Sequence, residues 1–196
     1  MSVRSILAQQ GGIMNHYFDI KLIPDSELSE SELVSKVYTK FHKLLCDLQT
    51  DQVGISFPKA SYKLGTLFRI HASADQLQKV LDIDWLGGLK GYCQLSHILP
   101  VPEIVQYRLV SSLRCKHNQS RLRRMVLRGN VSEEAISNYK RKMLGNWLEQ
   151  PFIDLKSTST GQNYRKFFFF GDITPESKEG KFDRFGLSHN ATIPWF

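Results

Sequence analysis

The chain has 196 residues, which is enough for one large domain or two small ones. Its 41% hydrophobic and 23% charged residues are typical of a globular protein and exclude a largely disordered one. A net charge of +7 favours an anionic partner, while the three scattered cysteines, with no CxxC pair, argue against a disulfide framework or a cysteine-bound zinc.

The sequence shows no targeting or membrane-spanning segment. No apolar run approaches the roughly 18 residues that a span requires. Residues 1–13 lack the apolar centre and cleavage motif of a signal peptide, and we assign them as an N-terminal extension without a role. We therefore expect a cytoplasmic protein that does not contact a membrane.

The first half of the chain is predicted to alternate strands and helices. Alternation of apolar and polar residues predicts strands over 15–23, 52–57, 66–71 and 92–99. Helical periodicity predicts helices over Leu33–Leu48 and over 74–84, the second capped by Ser73. The order β-α-β-β-α-β predicts an α+β protein whose residues 14–99 form a ferredoxin-like domain. RNA-recognition modules share this topology, but TLFRIH lacks their paired aromatics on the third strand.

The second half is predicted to be a further α+β domain over residues 105–196, reached through a linker at 100–104. Strands are expected over 107–114, 152–157 and 163–170, and helices over 119–128 and from Ser132 to about Trp147. Gly129 is predicted to end the first of these helices in a left-handed conformation. The run FFFF, 167–170, predicts a strand buried on both faces.

The basic charge is concentrated in this second half. Residues 106–150 contain ten Lys or Arg against three Glu, so this segment holds the whole excess and the remainder is neutral. Arg121, Arg124 and Arg128 fall within an arc of about 60° on a helix, and Leu122 and Val126 can dock that helix onto a core. A solvated basic face is the alternative, but the acids do not co-locate with the arginines while the whole net charge does, which favours a row that faces nucleic-acid phosphates.

Two further features are candidates for chemistry. His42 falls at the edge of the apolar face of the first helix, where an imidazole can act as a general base. On the residues alone, a structural histidine at a helix border is the favoured interpretation. The second feature is KSTSTGQNYRKF, 156–167, whose hydroxyls, Tyr164 and charges can bind phosphate or ribose and stack on a base. A polar turn between strands is the alternative. No HxH or HExxH spacing supports a metal site, and we expect neither metal nor cofactor.

Taken together, the residues resemble the type I-F CRISPR RNA-processing endoribonucleases. The resemblance extends from Met14 to Phe196 and is carried by HYFDIKL, Phe41-His42, VGISFP, FRIHASADQL, WLGGL, the YR-V-S pattern at Tyr107–Ser111, RLRR at 121–124, SEEA at 132–135, STGQ at 159–162, GLS and the terminal PWF. The STGQ run followed by an aromatic residue, together with PWF, is the most specific part.

The resemblance implies a mechanism and a set of site residues. Such enzymes cut a CRISPR repeat at the 3′ base of its stem-loop without metal, and leave a 2′,3′-cyclic phosphate and a 5′-OH. His42 would be the general base and Ser157 would hold the 2′-OH, while Tyr164 matches the stacking aromatic. The implied RNA-binding residues are Arg114, Lys116, Arg121, Arg123, Arg124, Arg128, Ser159, Thr160, Gln162 and Tyr164. The implied partners are the repeat RNA, which is retained as crRNA, and the other subunits of a type I-F surveillance complex.

The sequence departs from the family pattern at three places. Ser112 and Arg114 stand where an Arg and a Gln read base pairs. In the helix predicted over 119–128, which we call the arginine helix, and directly after it, Met125, Gly129 and Asn130 stand in place of two arginines and a histidine. Phe185 stands where a tyrosine can support the catalytic histidine, which removes a hydroxyl but not the base.

Two other functions remain open at this stage. A non-catalytic subunit that binds an RNA hairpin would have the same fold and the same basic helix. A general DNA-binding protein would be consistent with the charge alone.

Overall fold

The computed structural model describes residues 14–113, 119–129, 131–145, 150–156 and 161–196, with the backbone alone for 119–120 and 142–145. In the described residues it is an α+β protein built on two antiparallel sheets, which confirms the predicted class. None of the helices in these ranges is long and apolar enough to cross a bilayer.

The first sheet is formed by the N-terminal half. Its strands are β1 (His16–Leu22), β2 (Gly54–Ser56), β3 (Leu67–Ala72), β4 (Cys93–Leu95) and β5 (Leu99–Pro100). The order is β2-β3-β1-β4, with β5 also paired to β1, and every pairing is antiparallel. Helices α1 (Glu30–Leu48) and α2 (Ala74–Asp82) connect the strands. Ser29 and Ser73 cap the two helices, since each side chain accepts a hydrogen bond from a backbone N–H three residues later.

The second sheet is formed by the C-terminal half. Its strands are β6 (Gln106–Leu113), β7 (Phe152–Lys156), β8 (Asn163–Thr174) and β9 (Ile193–Trp195), in the order β7-β8-β6-β9. Helices α3 (Gln119–Arg128) and α4 (Glu133–Gly145) lie between β6 and β7 in the chain. Gly129 follows α3 with a φ of 67°, which confirms its predicted left-handed conformation.

One hydrophobic core joins the two sheets. Tyr38 of α1 and Phe57 after β2 both pack edge-on against Phe168 of β8, with ring centroids 5.6 and 5.2 Å apart. Phe18, Ile70 and Phe168 are all fully buried in this cluster. Helix α1 contacts β1 of the first sheet and β7 of the second. Helix α1 therefore contacts both sheets, and His42 lies at the border of its buried face.

Three local predictions were wrong. The FFFF run is not buried on both faces, because Phe168 is fully buried while the next residue, Phe169, is 39% exposed. The strand predicted over 92–99 is two short strands, β4 and β5, of which the second extends one residue into the predicted linker. Val126 does not dock α3, since it is 54% exposed.

Candidate active site

His42 lies at the border of α1 and is half-buried. The helix buries Tyr38, Phe41 and Leu45 on its core face. His42, which follows Phe41, is turned away from the centre of that face and remains partly accessible. The Nδ1 atom of His42 lies 2.7 Å from the backbone carbonyl oxygen of Arg184. Because a carbonyl oxygen can only accept, Nδ1 carries the proton. In the neutral ring Nε2 therefore keeps its lone pair, as a general base requires.

The segment that holds Nδ1 is a tight turn, residues 183–187. The Asp183 carboxylate accepts hydrogen bonds from the backbone N–H groups of Phe185 at 2.8 Å and Leu187 at 3.0 Å. The Tyr38 hydroxyl donates to the Phe185 carbonyl at 3.0 Å, and burial raises the pKa of Tyr38 well above its ordinary value. The Tyr38 hydrogen bond thus fixes the turn to α1, and the turn holds the Arg184 carbonyl in place.

Phe185 covers one face of the His42 ring. The two ring centroids are 3.7 Å apart and their planes are within 2° of parallel. The Cys46 sulfur, one helical turn further along, is 3.8 Å from Nδ1 and 3.9 Å from Nε2. Since these two distances are nearly equal, the sulfur lies against the face of the ring, and not along the lone pair of Nε2 or the N–H bond of Nδ1. The imidazole is therefore enclosed by Phe185 and Cys46, and its orientation is fixed.

The run that follows β7 is described only in part. Ser157, Ser159 and Thr160 lie outside the described residues. Gln162 is exposed, and Tyr164 of β8 is 40% exposed. The phenol of Tyr164 is neutral near pH 7, as an ordinary tyrosine is, and partial burial raises its pKa further, so it offers a flat uncharged ring.

Strand β8 brings Tyr164 to the same side of the sheet as His42. Alternate residues of a strand share a face, so Tyr164 and Lys166 point the same way. The Lys166 ammonium lies 3.7 Å from the centroid of Phe185, the ring that stacks on His42. Arg165 points to the other face, where it forms an ion pair with Asp154 at 2.9 Å. The structure thus separates two charged neighbours that the sequence places side by side.

The arginines of α3 are presented to solvent. Arg121, Arg123, Arg124 and Arg128 are all exposed, whereas Leu122 is buried, with 8% of its surface exposed. Arg121 lies 6.0 Å from the ring centroid of Tyr139 on α4, and the two helices pack together. The predicted Arg114 and Lys116 lie outside the described residues.

Sequence reasoning missed the groups that hold His42. Cys46 could have been found, because residues four apart on a helix are neighbours. The Arg184 carbonyl could not, since a backbone group leaves no signature in the sequence. Phe185 was noticed only as a departure, and its stacking contact depends on the fold.

Comparison with known proteins assigns the chain to a class and then to a family. Among the curated proteins that the chain matches are two endonucleases, each named "CRISPR-associated endonuclease Cas6/Csy4". The protein of Escherichia coli (strain UTI89 / UPEC) is 38% identical over 184 residues, which cover 93% of this chain and 100% of that protein. The protein of Pseudomonas aeruginosa (strain UCBPP-PA14) is 38% identical over 187 residues, with the same coverage of 93% and 100%.

Residues 17–196 match the family described as "CRISPR-associated protein (Cas_Csy4)". The chain belongs to that family, and the resemblance to type I-F CRISPR RNA-processing endoribonucleases is confirmed. A solved structure, "Crystal structure of CRISPR RNA processing endoribonuclease Cas6b", covers 92% of this chain and 100% of its own at 11% identity and a TM-score of 0.28. At that level of similarity it adds nothing to the assignment.

Proposed function

We propose that this chain is a metal-independent endoribonuclease that binds the stem-loop of a CRISPR repeat RNA and cleaves it at the 3′ base of the stem. The observation that carries the proposal is the hydrogen bond from His42 Nδ1 to the Arg184 carbonyl, which leaves the Nε2 lone pair available. Membership of the Cas_Csy4 family supports it, because both relatives reported above are named as CRISPR-associated endonucleases.

The chemistry needs few protein groups, because RNA supplies its own nucleophile. His42 Nε2 takes the proton of the ribose 2′-OH, and Ser157 holds that hydroxyl in line with the adjacent phosphate. The 2′ oxygen forms a bond to phosphorus as the bond from phosphorus to the 5′ oxygen breaks. The imidazolium has a proton to return to the leaving oxygen, so the products are a 2′,3′-cyclic phosphate and a 5′-OH. No cofactor takes part in this scheme.

The arginine helix α3 is proposed to hold the RNA stem. Its exposed guanidinium groups fit a phosphate backbone, and arginine can also bind guanine in an accessible groove. Tyr164 is proposed to stack on a base near the cut, since its partly exposed ring is uncharged. Arg114, Lys116, Ser159, Thr160 and Gln162 complete the proposed RNA-binding set.

The wider setting follows from the same proposal. The enzyme would act in the cytoplasm, retain the mature crRNA and join the other subunits of a type I-F surveillance complex. The strand order β2-β3-β1-β4 with two connecting helices supports a ferredoxin-like arrangement for the first sheet. The division into domains at 14–99 and 105–196 stays a prediction.

Cleavage of a cognate repeat RNA in EDTA tests the proposal. The wild-type protein should give cyclic-phosphate ends, and a 2′-deoxy substitution at the cut site should abolish the product. The His42→Ala variant should bind the RNA with unchanged affinity and should not cut it. His97→Ala is the matched control, because His97 is exposed and lies on a different segment, and it should cut at the wild-type rate.

Other results would select another function. Tight binding of the hairpin with no product would identify a non-catalytic RNA-binding subunit. Equal affinity for duplex DNA and hairpin RNA would favour the DNA-binding alternative, because A-form RNA presents a different groove shape and 2′-hydroxyls. Cutting of the 2′-deoxy substrate would refute the proposed mechanism.

A further inference from the structure

Lys166 contacts the side of Phe185 that faces away from His42. The imidazole occupies one face of the Phe185 ring at 3.7 Å, and the Lys166 ammonium lies 3.7 Å from the same centroid. Two groups at that distance cannot share one face, so the ammonium lies over the other. The described atoms thus form a stack in the order Cys46 sulfur, His42 imidazole, Phe185 phenyl ring and Lys166 ammonium.

Three members of this stack come from regular elements, whereas Phe185 does not. Cys46 and His42 lie on α1, and Lys166 lies on β8 directly opposite Ile153 of β7. Phe185 belongs to the segment between β8 and β9, which has turns and bends but no helix or strand. Hydrogen bonds fix the backbone of this turn. The ring itself has no polar atom, so its position depends on what packs against it, which is His42, Lys166 and, at 6.0 Å between ring centroids, Tyr38.

We propose that Lys166 is a positioning residue for His42, which acts by holding Phe185 flat against the imidazole. This inference rests on the proposed function of His42 as the base. The face of an aromatic ring carries negative electrostatic potential and attracts an ammonium group. An apolar side chain of the same length would fill the space but would lack that attraction. Lys166 thus fixes a ring that has no hydroxyl with which to anchor itself.

The first test compares the neutral Lys166→Met variant with the wild type. Single-turnover cleavage of the cognate repeat RNA at saturating protein should slow about threefold to tenfold, which is the range expected for a partly desolvated cation–π contact. The affinity for the RNA should not change, because Lys166 acts on the protein and not on the substrate. Lys166→Arg should restore most of the lost rate, since a guanidinium also binds a ring face. Lys178→Met, which removes the same charge from an exposed position, is the matched control.

A double-mutant cycle separates positioning from a direct contact with RNA. If Lys166 acts through Phe185, Lys166→Met should cost nothing further in a Phe185→Ala background. A full additional loss in that background would overturn the inference, and so would weaker RNA binding by Lys166→Met alone.

A readout without RNA distinguishes failure of this inference from failure of the proposed function. The face of Phe185 should shift the His42 ring-proton NMR signals upfield in the wild type, and Lys166→Met should reduce that shift while the melting temperature of the protein stays within a few degrees. An unchanged shift would refute the role of Lys166 even if the protein cuts RNA. A reduced shift in a protein that cuts no RNA would support the positioning role and refute only the proposed function.

Discussion

Gly186→Ala should both destabilise the protein and slow cleavage, because Gly186 is placed in the turn that holds His42. Its φ is +71°, a left-handed conformation that L side chains rarely adopt. A Cβ added there would lie 3.0 Å from Ile55 Cγ2 and 3.0 Å from Phe41 Cε1. Both neighbours are fully buried core side chains, so neither can move aside without disturbing its own packing.

The expected loss in the free energy of unfolding of Gly186→Ala has two parts, which a control variant can separate. The left-handed conformation costs about 1–2 kcal/mol for a residue with a Cβ, and overpacking of a core contact costs about 1–3 kcal/mol. Gly129→Ala provides the first part alone, because Gly129 has a φ of +67° and no described atom lies within 4 Å of an added Cβ. Gly186→Ala should therefore lower the free energy of unfolding by roughly 2–5 kcal/mol, and Gly129→Ala by roughly 1–2 kcal/mol.

Equilibrium unfolding in urea, without RNA, measures both variants on the same scale. Single-turnover cleavage at a temperature where Gly186→Ala is fully folded then reports the effect on His42. We expect a slower rate with unchanged RNA affinity, because the strain displaces the Arg184 carbonyl and the Phe185 ring. Equal losses of stability in the two variants would show that the turn does not press against Phe41 and Ile55, and would refute the reasoning.

Three further predictions follow from described contacts. Tyr38→Phe removes the hydroxyl that donates a hydrogen bond to the Phe185 carbonyl. The free energy of unfolding measured in urea should therefore fall by about 1–3 kcal/mol. Arg124→Ala should reduce the slope of log affinity against log salt by nearly one unit in a binding titration with hairpin RNA, and an unchanged slope would exclude a phosphate contact there. Burial lowers the pKa of His71 from 6.5 to about 3, so below pH 6.5 the unfolded state gains a proton that the native state does not bind. Between pH 6.5 and 5, the free energy of unfolding of the wild type should therefore fall by roughly 2 kcal/mol more than that of His71→Gln. Equal falls in the two proteins would contradict a lowered pKa of His71.

The local signals in the sequence predicted an element well when the apolar residues on one of its faces determine its structure. The helix predicted over 119–128 is observed as Gln119–Arg128, and Ser73 caps its helix as expected. Periodicity also placed His42 at the border of α1, because the apolar residues around it define the buried face. The FFFF prediction failed because an apolar run does not indicate which of its residues the fold will cover, and Phe169 is left 39% exposed.

The partners of His42 could not be predicted from the same signals. Arg184 is 142 residues away in the chain, and its contribution is a backbone carbonyl that any residue would provide. Lys166 and Arg165 are adjacent in a basic run, yet one lies over Phe185 and the other pairs with Asp154. Which of the two faces the site depends on the register of β8 with β7, a relation between distant parts of the chain.

These contacts show how Phe185, which stands where the resemblance implies a tyrosine, can orient His42 without a hydroxyl. A tyrosine hydroxyl can hold an imidazole only by a hydrogen bond to one of its nitrogens. Here the Arg184 carbonyl accepts from Nδ1, and the flat Phe185 ring keeps the imidazole in its plane. The two tasks of setting the tautomer and setting the orientation are thus divided between a backbone atom and a side chain of the same turn. Nε2 is consequently available without a hydroxyl at position 185, whereas a distortion of residues 183–187 would affect both tasks together.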